Sequence, residues 1–245
     1  MDILKYTEHR TFPYPSRWWV MKQKWRNVSF IHWPISPTVL RAIIPQPLEI
    51  DTYHHQAWIG IVIFEMESIH IRGLSSFSLT PKFPEINIRT YVSYKGIPGI
   101  YMIDIDVDNW MTAKTAKTLF RLPYHTATIS IEKSKNSLHY ESSRHANPTI
   151  KGEGFITPIS DIYVSDTDSL DYWLMERYRL YQVKNGKVYK ADIHHQAWEL
   201  QKAEAKIHKN TQLSSFNLGI NEQAPVVSHF SKGVDPVLWN IKRAK

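Results

Sequence analysis

The chain has 245 residues, 42% of them apolar and 13% aromatic, and 30 Lys and Arg set against 23 Asp and Glu give a net charge of +7. That balance excludes a disordered chain and is enough for one large packed core, a length that β barrels often use as a single domain. Cysteine is absent, which excludes a disulfide framework, a thiolate metal site and a cysteine nucleophile, and fits a reducing, cytoplasmic setting.

From the N-terminus, MDILKYTEHRTFPYPSRWW contains no apolar run of leader length. The longest apolar stretch, near Ala57–Phe64, is too short to span a bilayer, so no membrane partner is expected. Residues Ala57–Arg72 read as one long strand, with Ile61, Ile63, Glu65, Glu67, Ile69 and Ile71 on one face and Val62, Phe64, Met66, Ser68 and His70 on the other. Phe83–Val92 alternates cleanly: Glu85, Asn87, Arg89 and Tyr91 point one way, Ile86, Ile88, Thr90 and Val92 the other. After the turn SYKGIPG, Ile100–Val107 returns, and a register with Arg89 opposite Asp104, or shifted by two, joins the polar faces. The expectation is an antiparallel hairpin whose shared polar face carries Glu85, Asn87, Arg89, Asp104 and Asp106.

A short helix over Trp110–Phe120, capped by Asp108 or Asn109, must stop before Leu122–Pro123. His125–Lys133 and Ser137–Ser143 form a hairpin around KSKN. Leu170, Trp173, Leu174, Tyr178 and Tyr181 recur at helical spacing and predict a helix over Ser169–Tyr181, capped by Thr167 or Asp168. YQVK-NG-KVYK then predicts a two-residue hairpin with a type I′ turn at Asn185–Gly186. A helical or irregular stretch covers about Thr211–Leu218, and Val226–Trp239 is extended. No linker interrupts the chain, so one domain, residues 1–245, of α+β class and dominated by antiparallel sheet is expected.

The polar face of Phe83–Val92 is the first chemical candidate. On an open sheet it is the wet side; in a closed barrel it lines a cavity, where a buried carboxylate and Arg89 would orient a polar ligand. Histidines are plentiful (His54/His55, His125, His139, His145, His194/His195, His229), but adjacent histidines on a strand face opposite ways and no HExxH pattern occurs, so no metal site is assigned. His194 or His195, following Asp192, is a possible general base by residue type. No GxSxG elbow, GxGxxG or P-loop is present. The cations are scattered (Lys114/Lys117, Lys133/Lys135, Lys184/Lys187/Lys190, Lys242–Arg243–Lys245), so nucleic acid is not the expected partner.

The series Met21-x-Gln23-x-Trp25, Phe30-x-His32-Trp33-Pro34, Ala57-Trp58-Ile59-Gly60, Phe83-Pro84-Glu85-x-Asn87-x-Arg89, Leu122-Pro123-Tyr124, Glu176-Arg177-Tyr178, Asp192-Ile193-His194-His195 and His229-Phe230-Ser231-x-Gly233-Val234-Asp235 resembles the YqjF-like family of uncharacterised bacterial proteins. That family is distantly similar to acetoacetate decarboxylase, and the resemblance implies a conical, mostly antiparallel β barrel with a few peripheral helices and a ligand cavity. Acetoacetate decarboxylase works through a lysine imine whose pKa a neighbouring cation lowers. Phe83-x-Glu85 matches its acidic strand and Leu122-Pro123 its proline element, but Tyr124–His125 stand where the lysines would be. Neither forms an imine with a ketone, and Lys114 and Lys117 lie earlier on a segment expected to be partly exposed.

The expectation is therefore a pocket protein for a small molecule. Glu85, His125 and Tyr124 are the catalytic candidates for acid–base work on a small carbonyl or carboxylate compound, with Arg89, Asn87, Glu65 and Asp104 binding the ligand and no cofactor. The alternative is a non-catalytic ligand-binding or sensor domain on the same barrel. The oligomeric state is left open, a homo-oligomer being compatible.

Overall fold

The computed structural model of the protein describes residues 3–74, 81–111, 113, 114, 122–221 and 224–245. Strands dominate them: β1 (Met21–Ile35), β2 (Glu49–Ile50), β3 (Ala57–Ile71), β4 (Phe83–Tyr94), β5 (Ile97–Val107), β6 (Tyr124–Lys133), β7 (Leu138–Arg144), β8 (Lys151–Pro158), β9 (Arg179–Lys184), β10 (Lys187–His194), β11 (Gln201–Asn210), β12 (Val227–Val234), β13 (Val237–Leu238) and β14 (Lys242–Arg243). Among the short helices that accompany them are α1 (Pro37–Leu40), α2 (Leu170–Met175) and α3 (Thr211–Ser214). No described helix is long and apolar enough to cross a membrane.

The strands form one hydrogen-bonded sheet that closes on itself. Its wall is β1–β3–β4–β5, antiparallel throughout. From β5 and β1 two branches leave: β9–β10–β13 returns to the first residues of β1, and β6–β7–β8–β11–β12 returns to the rest of it. Only β5–β6 and β5–β9 are parallel. Closure removes the free edges that so long a wall would otherwise expose.

Because β3 and β4 are buried on both faces, their apolar side chains serve two cores. Ile61, Ile63, Ile86 and Ile88 pack with Ala127, Ile129, Tyr140 and Ile156 from the larger branch. Val62, Phe64, Phe83, Tyr91 and Val107 pack with Leu174, Met175, Ala191 and Trp198 on the other side. Burying a side chain of this size is worth about 1.5–3 kcal/mol, and the wall contributes such side chains to both cores.

The expected strands over Ala57–Arg72 and Phe83–Val92, the hairpin over β6 and β7, and the Asn185–Gly186 turn are present; Asn185 and Gly186 have φ of 50° and 68°, as a type I′ turn requires. Residues 110, 111, 113 and 114 are helical, and the rest of the helix expected over Trp110–Phe120 lies outside the described residues.

The helix expected over Ser169–Tyr181 is corrected. It is capped by Ser169, whose Oγ accepts from Tyr172 N, and stops at Met175. Arg179 onward is strand, paired residue for residue with β10. The i, i+3, i+4 spacing of Leu170, Trp173 and Leu174 is helical, whereas Tyr178 and Tyr181 continued it by coincidence. Pairing with β10, and the buried ion pair of Arg179 Nη2 with Asp192 at 2.6 Å, override the local pattern.

Candidate active site

Glu85, Asn87 and Arg89 are all buried on β4, on the face that carries Phe83 and Tyr91. The Tyr124 hydroxyl donates to Glu85 Oε2 at 3.1 Å, and Asn87 Nδ2 lies 3.4 Å from Glu85 Oε1. Burial pushes the Glu85 carboxyl up to about 7, against the opposing effect of these two donors. Tyr124 is held well above the usual phenol range by burial and by the neighbouring carboxylate. The result is a carboxyl group poised to gain or lose a proton near neutral pH, with a phenol fixed beside it.

Above this pair, the cross-strand row His32–Gly60–Arg89 runs over β1, β3 and β4. Gly60 is required there: a Cβ would lie 2.6 Å from His32 Cδ2. His32, fully buried, shares a 2.7 Å hydrogen bond with the Tyr91 hydroxyl, and burial, Arg89 and His229 hold its pKa well below the usual range. His229, on β12, pairs with Phe30; its Nε2 is 3.1 Å from Asp171 Oδ1, and Tyr163 donates to the other oxygen at 2.7 Å. Asp171 is lowered mainly by its bond to His229. Sequence reasoning missed Arg177, Asp171 and the pairing role of His32; Arg177 and His32 stand in the family motifs, whereas nothing in the sequence pointed to Asp171.

The other expected site residues lie elsewhere. The shared polar face is corrected, because β5 carries a bulge between the partners of Ile88 and Arg89: Arg89 faces Met102, but Ile88 faces Asp104 and Ile86 faces Asp106. Asp104 and Asp106 therefore point away from Glu85, into the other core. There Arg144 Nη2 binds them at 2.5 and 2.7 Å, Gln212 donates to Asp104 at 3.3 Å, and His125 Nε2 lies 3.1 Å from Asp104. Burial pushes Asp106 up to about 6, against the pull of Arg144. Glu65 is on that side too, bonded to Asn27 and, at 2.6 Å, to Lys82. Of the seven expected residues, Glu85, Asn87 and Tyr124 are brought into contact, Arg89 shares their face of β4 further along the strand, beside Phe30 and Tyr91, and His125, Asp104 and Glu65 lie elsewhere.

Arg144 is thus a structural cation shared by two buried carboxylates. Arg144→Gln is expected to cost about 3–5 kcal/mol at pH 8. The raised Asp106 takes up a proton as pH falls through about 6, so the deficit shrinks toward pH 5. Urea unfolding at the two pH values checks this.

His194 and His195 are held down to about 4 and about 3, chiefly by burial, which leaves them neutral packing groups under His9 and Arg10 rather than poised bases. His139, Glu141 and Glu153 place ligand atoms within 4.8 Å of one another on β7 and β8, with Glu141 exposed. One cleft, of about 350 Å³, lies among Trp33–Val39, Leu218–Asn221, Ala224 and Val226. Another, about 270 Å³, is lined by Val107, the partner of Glu85 on β5, with Asn109, Trp110 and Thr126. No lysine is among the buried described residues; Lys114 is exposed, and Lys117 lies outside the described residues.

Residues 22–235 match the model of DUF2071, a family of uncharacterized conserved proteins. The chain belongs to that family. It is 39% identical to the uncharacterized protein YqjF of Bacillus subtilis (strain 168) over 236 residues, 96% of this chain and 97% of that one. The fold is that of acetoacetate decarboxylase: the enzyme from Legionella pneumophila superposes with a TM-score of 0.64 at 16% identity, covering 96% of this chain and 93% of that one. The enduracididine biosynthesis enzyme MppR, in a complex with pyruvate, gives 0.63 at 11% identity, covering 93% and 91%. At these identities the likeness concerns the fold, so what the DUF2071 interior does must be argued from its own residues.

Proposed function

We propose that this DUF2071 protein is a small-molecule enzyme that moves a proton on a carbonyl or carboxylate compound without forming an imine. The observation that carries the reading is Glu85: a buried carboxyl raised to about 7, fixed by Tyr124 and Asn87. In its ionised form Glu85 takes a proton from the carbon next to a carbonyl. The Tyr124 hydroxyl, freed from the carboxylate as that proton arrives, turns to donate to the oxygen on which negative charge develops. Glu85 then returns the proton and the Tyr124–Glu85 bond re-forms. Arg89, on the same face, holds the anionic end of the ligand. Of the solved proteins that share the fold, one is an acetoacetate decarboxylase and another is a complex with pyruvate, which favours this substrate class. No cofactor is invoked.

The test is proton exchange. Incubated in D2O with acetoacetate or 2-oxobutyrate, the protein is expected to exchange the protons next to the carbonyl, followed by NMR. Sodium borohydride added with either compound is expected to leave the intact mass unchanged. A borohydride-stable adduct would mean lysine chemistry after all; saturable binding with no exchange would leave a binding or sensor domain.

A further inference from the structure

Beside α2, buried nitrogens accumulate without acceptors. Arg89 and Arg177 set their guanidinium carbons 5.8 and 5.0 Å from the centre of the Tyr91 ring; Arg89 also lies 5.4 Å from Phe30, and Arg177 4.2 Å from Trp173. Arg177 is tied to Asp51 Oδ2 at 2.6 Å and to the Trp173 carbonyl at 2.6 Å, yet its Nη2 has no partner. Arg89 reaches the Leu174 carbonyl only at 3.4 Å, and its Nε has none. Trp58 Nε1, His32 Nδ1 and His229 Nδ1 are also buried and unbonded. His32 lies in the row of Arg89, His229 lies opposite Phe30, two residues from His32 on β1, and Trp58 stands two residues before Gly60 on β3.

The charges do not balance. Of the two buried guanidinium groups only Arg177 has a carboxylate partner, Asp51, while Asp171 is already engaged by His229 and Tyr163. No carboxylate pairs with Arg89 among the described residues, and a buried cation without a counter-charge is unfavourable. What is missing is one negative charge carried on a group with several acceptor lone pairs. A carboxylate supplies that; a phosphate near pH 7 brings closer to two charges, and a neutral ketone brings none.

We infer that Arg89 and Arg177 form a receptor for a single carboxylate, so that the ligand of this interior is a small monocarboxylic acid; the inference rests on the reading that the Glu85 interior is the ligand site. Arg177, held in orientation by Asp51 and stacked on Trp173, is then a specificity-determining residue, and the orphaned indole and imidazole nitrogens are further contacts for the same group.

Trp58 and Trp173 make the test direct. Tryptophan fluorescence of the full chain is titrated at constant ionic strength with 2-oxobutyrate, acetoacetate and hexanoate, with uncharged 2-butanone, and with inorganic phosphate. At least one carboxylate is expected to saturate, with 2-butanone and phosphate weaker by about 30-fold or more. Arg177→Lys and Arg89→Lys are expected to weaken that carboxylate by about 10-fold or more, and Lys187→Gln, at the exposed start of β10, to leave it unchanged. Independently of the ligand chosen, Arg89→Met is expected to melt above the wild type in the absence of ligand, because it removes an uncompensated buried cation. Equal binding of 2-butanone, no saturation by any carboxylate up to about 10 mM, indifference to both lysine variants, or a lower melting temperature for Arg89→Met overturns the receptor. The two readings fail separately. Carboxylate binding through both arginines without proton exchange removes the catalytic reading alone; exchange on 2-butanone as fast as on 2-oxobutyrate removes the receptor alone.

Discussion

Glu85→Gln is expected to lower proton exchange by about 100-fold or more and, at the same time, to make the protein more stable at pH 8. Glutamine keeps the shape of the side chain: its oxygen can accept from Asn87 while its amide nitrogen donates to the Tyr124 oxygen, so packing is conserved while the ionisable group is removed. The stability effect follows from the direction of the pKa shift. Glu85 in the folded protein is raised to about 7 from an ordinary value of 4.5, so between those values the folded state holds a proton that the unfolded chain has released. Stability contributed by that proton is complete below pH 4.5 and is lost as pH rises through 7. Above that, an ionised Glu85 costs about 3 kcal/mol relative to a neutral isostere.

Other groups titrate in the same range, and the comparison removes them. His32, His194 and His195 are lowered by burial, so they destabilise the fold as pH falls below 6.5, opposite in sign to Glu85. They are the same in both proteins. The difference in unfolding free energy between Glu85→Gln and wild type, measured in urea from pH 4 to pH 9, should therefore be near zero at the acid end and open between pH 4.5 and 7. A residue kept only for the fold would show the reverse, losing stability on substitution. Gain of stability with loss of exchange is the signature of a strained functional group.

The alternation of Phe83–Val92 and the Asn185–Gly186 turn were legible in the sequence because they are local: period two and a left-handed dipeptide need no partner to be read. The location of Asp104 and Asp106 was not. Were the β4–β5 ladder regular from Arg89 opposite Met102, Asn87 would face Asp104 and Glu85 would face Asp106, which is the shared polar face that the sequence suggests. One extra residue in β5, at the bulge, turns both aspartates to the other side. The physical reason lies in partners far along the chain: Arg144 and Gln212 satisfy the aspartates there, whereas beside Glu85 three carboxylates would crowd one dry space. The same non-local logic hid Arg177, which at sequence level sat inside an apparent helix. It is the strand pairing of β9 with β10 that ends α2 early and leaves Arg177 beside Arg89.

Gly233→Ala is expected to cost more than about 4 kcal/mol and to leave little soluble, folded protein. Gly233 has φ of 130°, a conformation that L residues rarely adopt, and a Cβ there would lie 1.9 Å from the Trp25 carbonyl oxygen. That contact is with backbone, so no rotamer change relieves it. It falls where β12 meets Arg26 of β1, next to Asn27 with its own positive φ of 56° and the irregular register up to Ser29. Separating the strands there breaks the closure that holds the larger branch to the wall and that brings His229 against Phe30. Gly186→Ala supplies the control: its φ of 68° is equally left-handed, but nothing lies within 4 Å of the added carbon. It is expected to cost only about 1 kcal/mol, from the φ preference alone. Circular-dichroism melts and soluble yield of the two variants separate the cases. A Gly233→Ala protein that melts within a few degrees of Gly186→Ala would show that the sheet opens at this seam without loss, and the closed wall would not be what holds His229 in place.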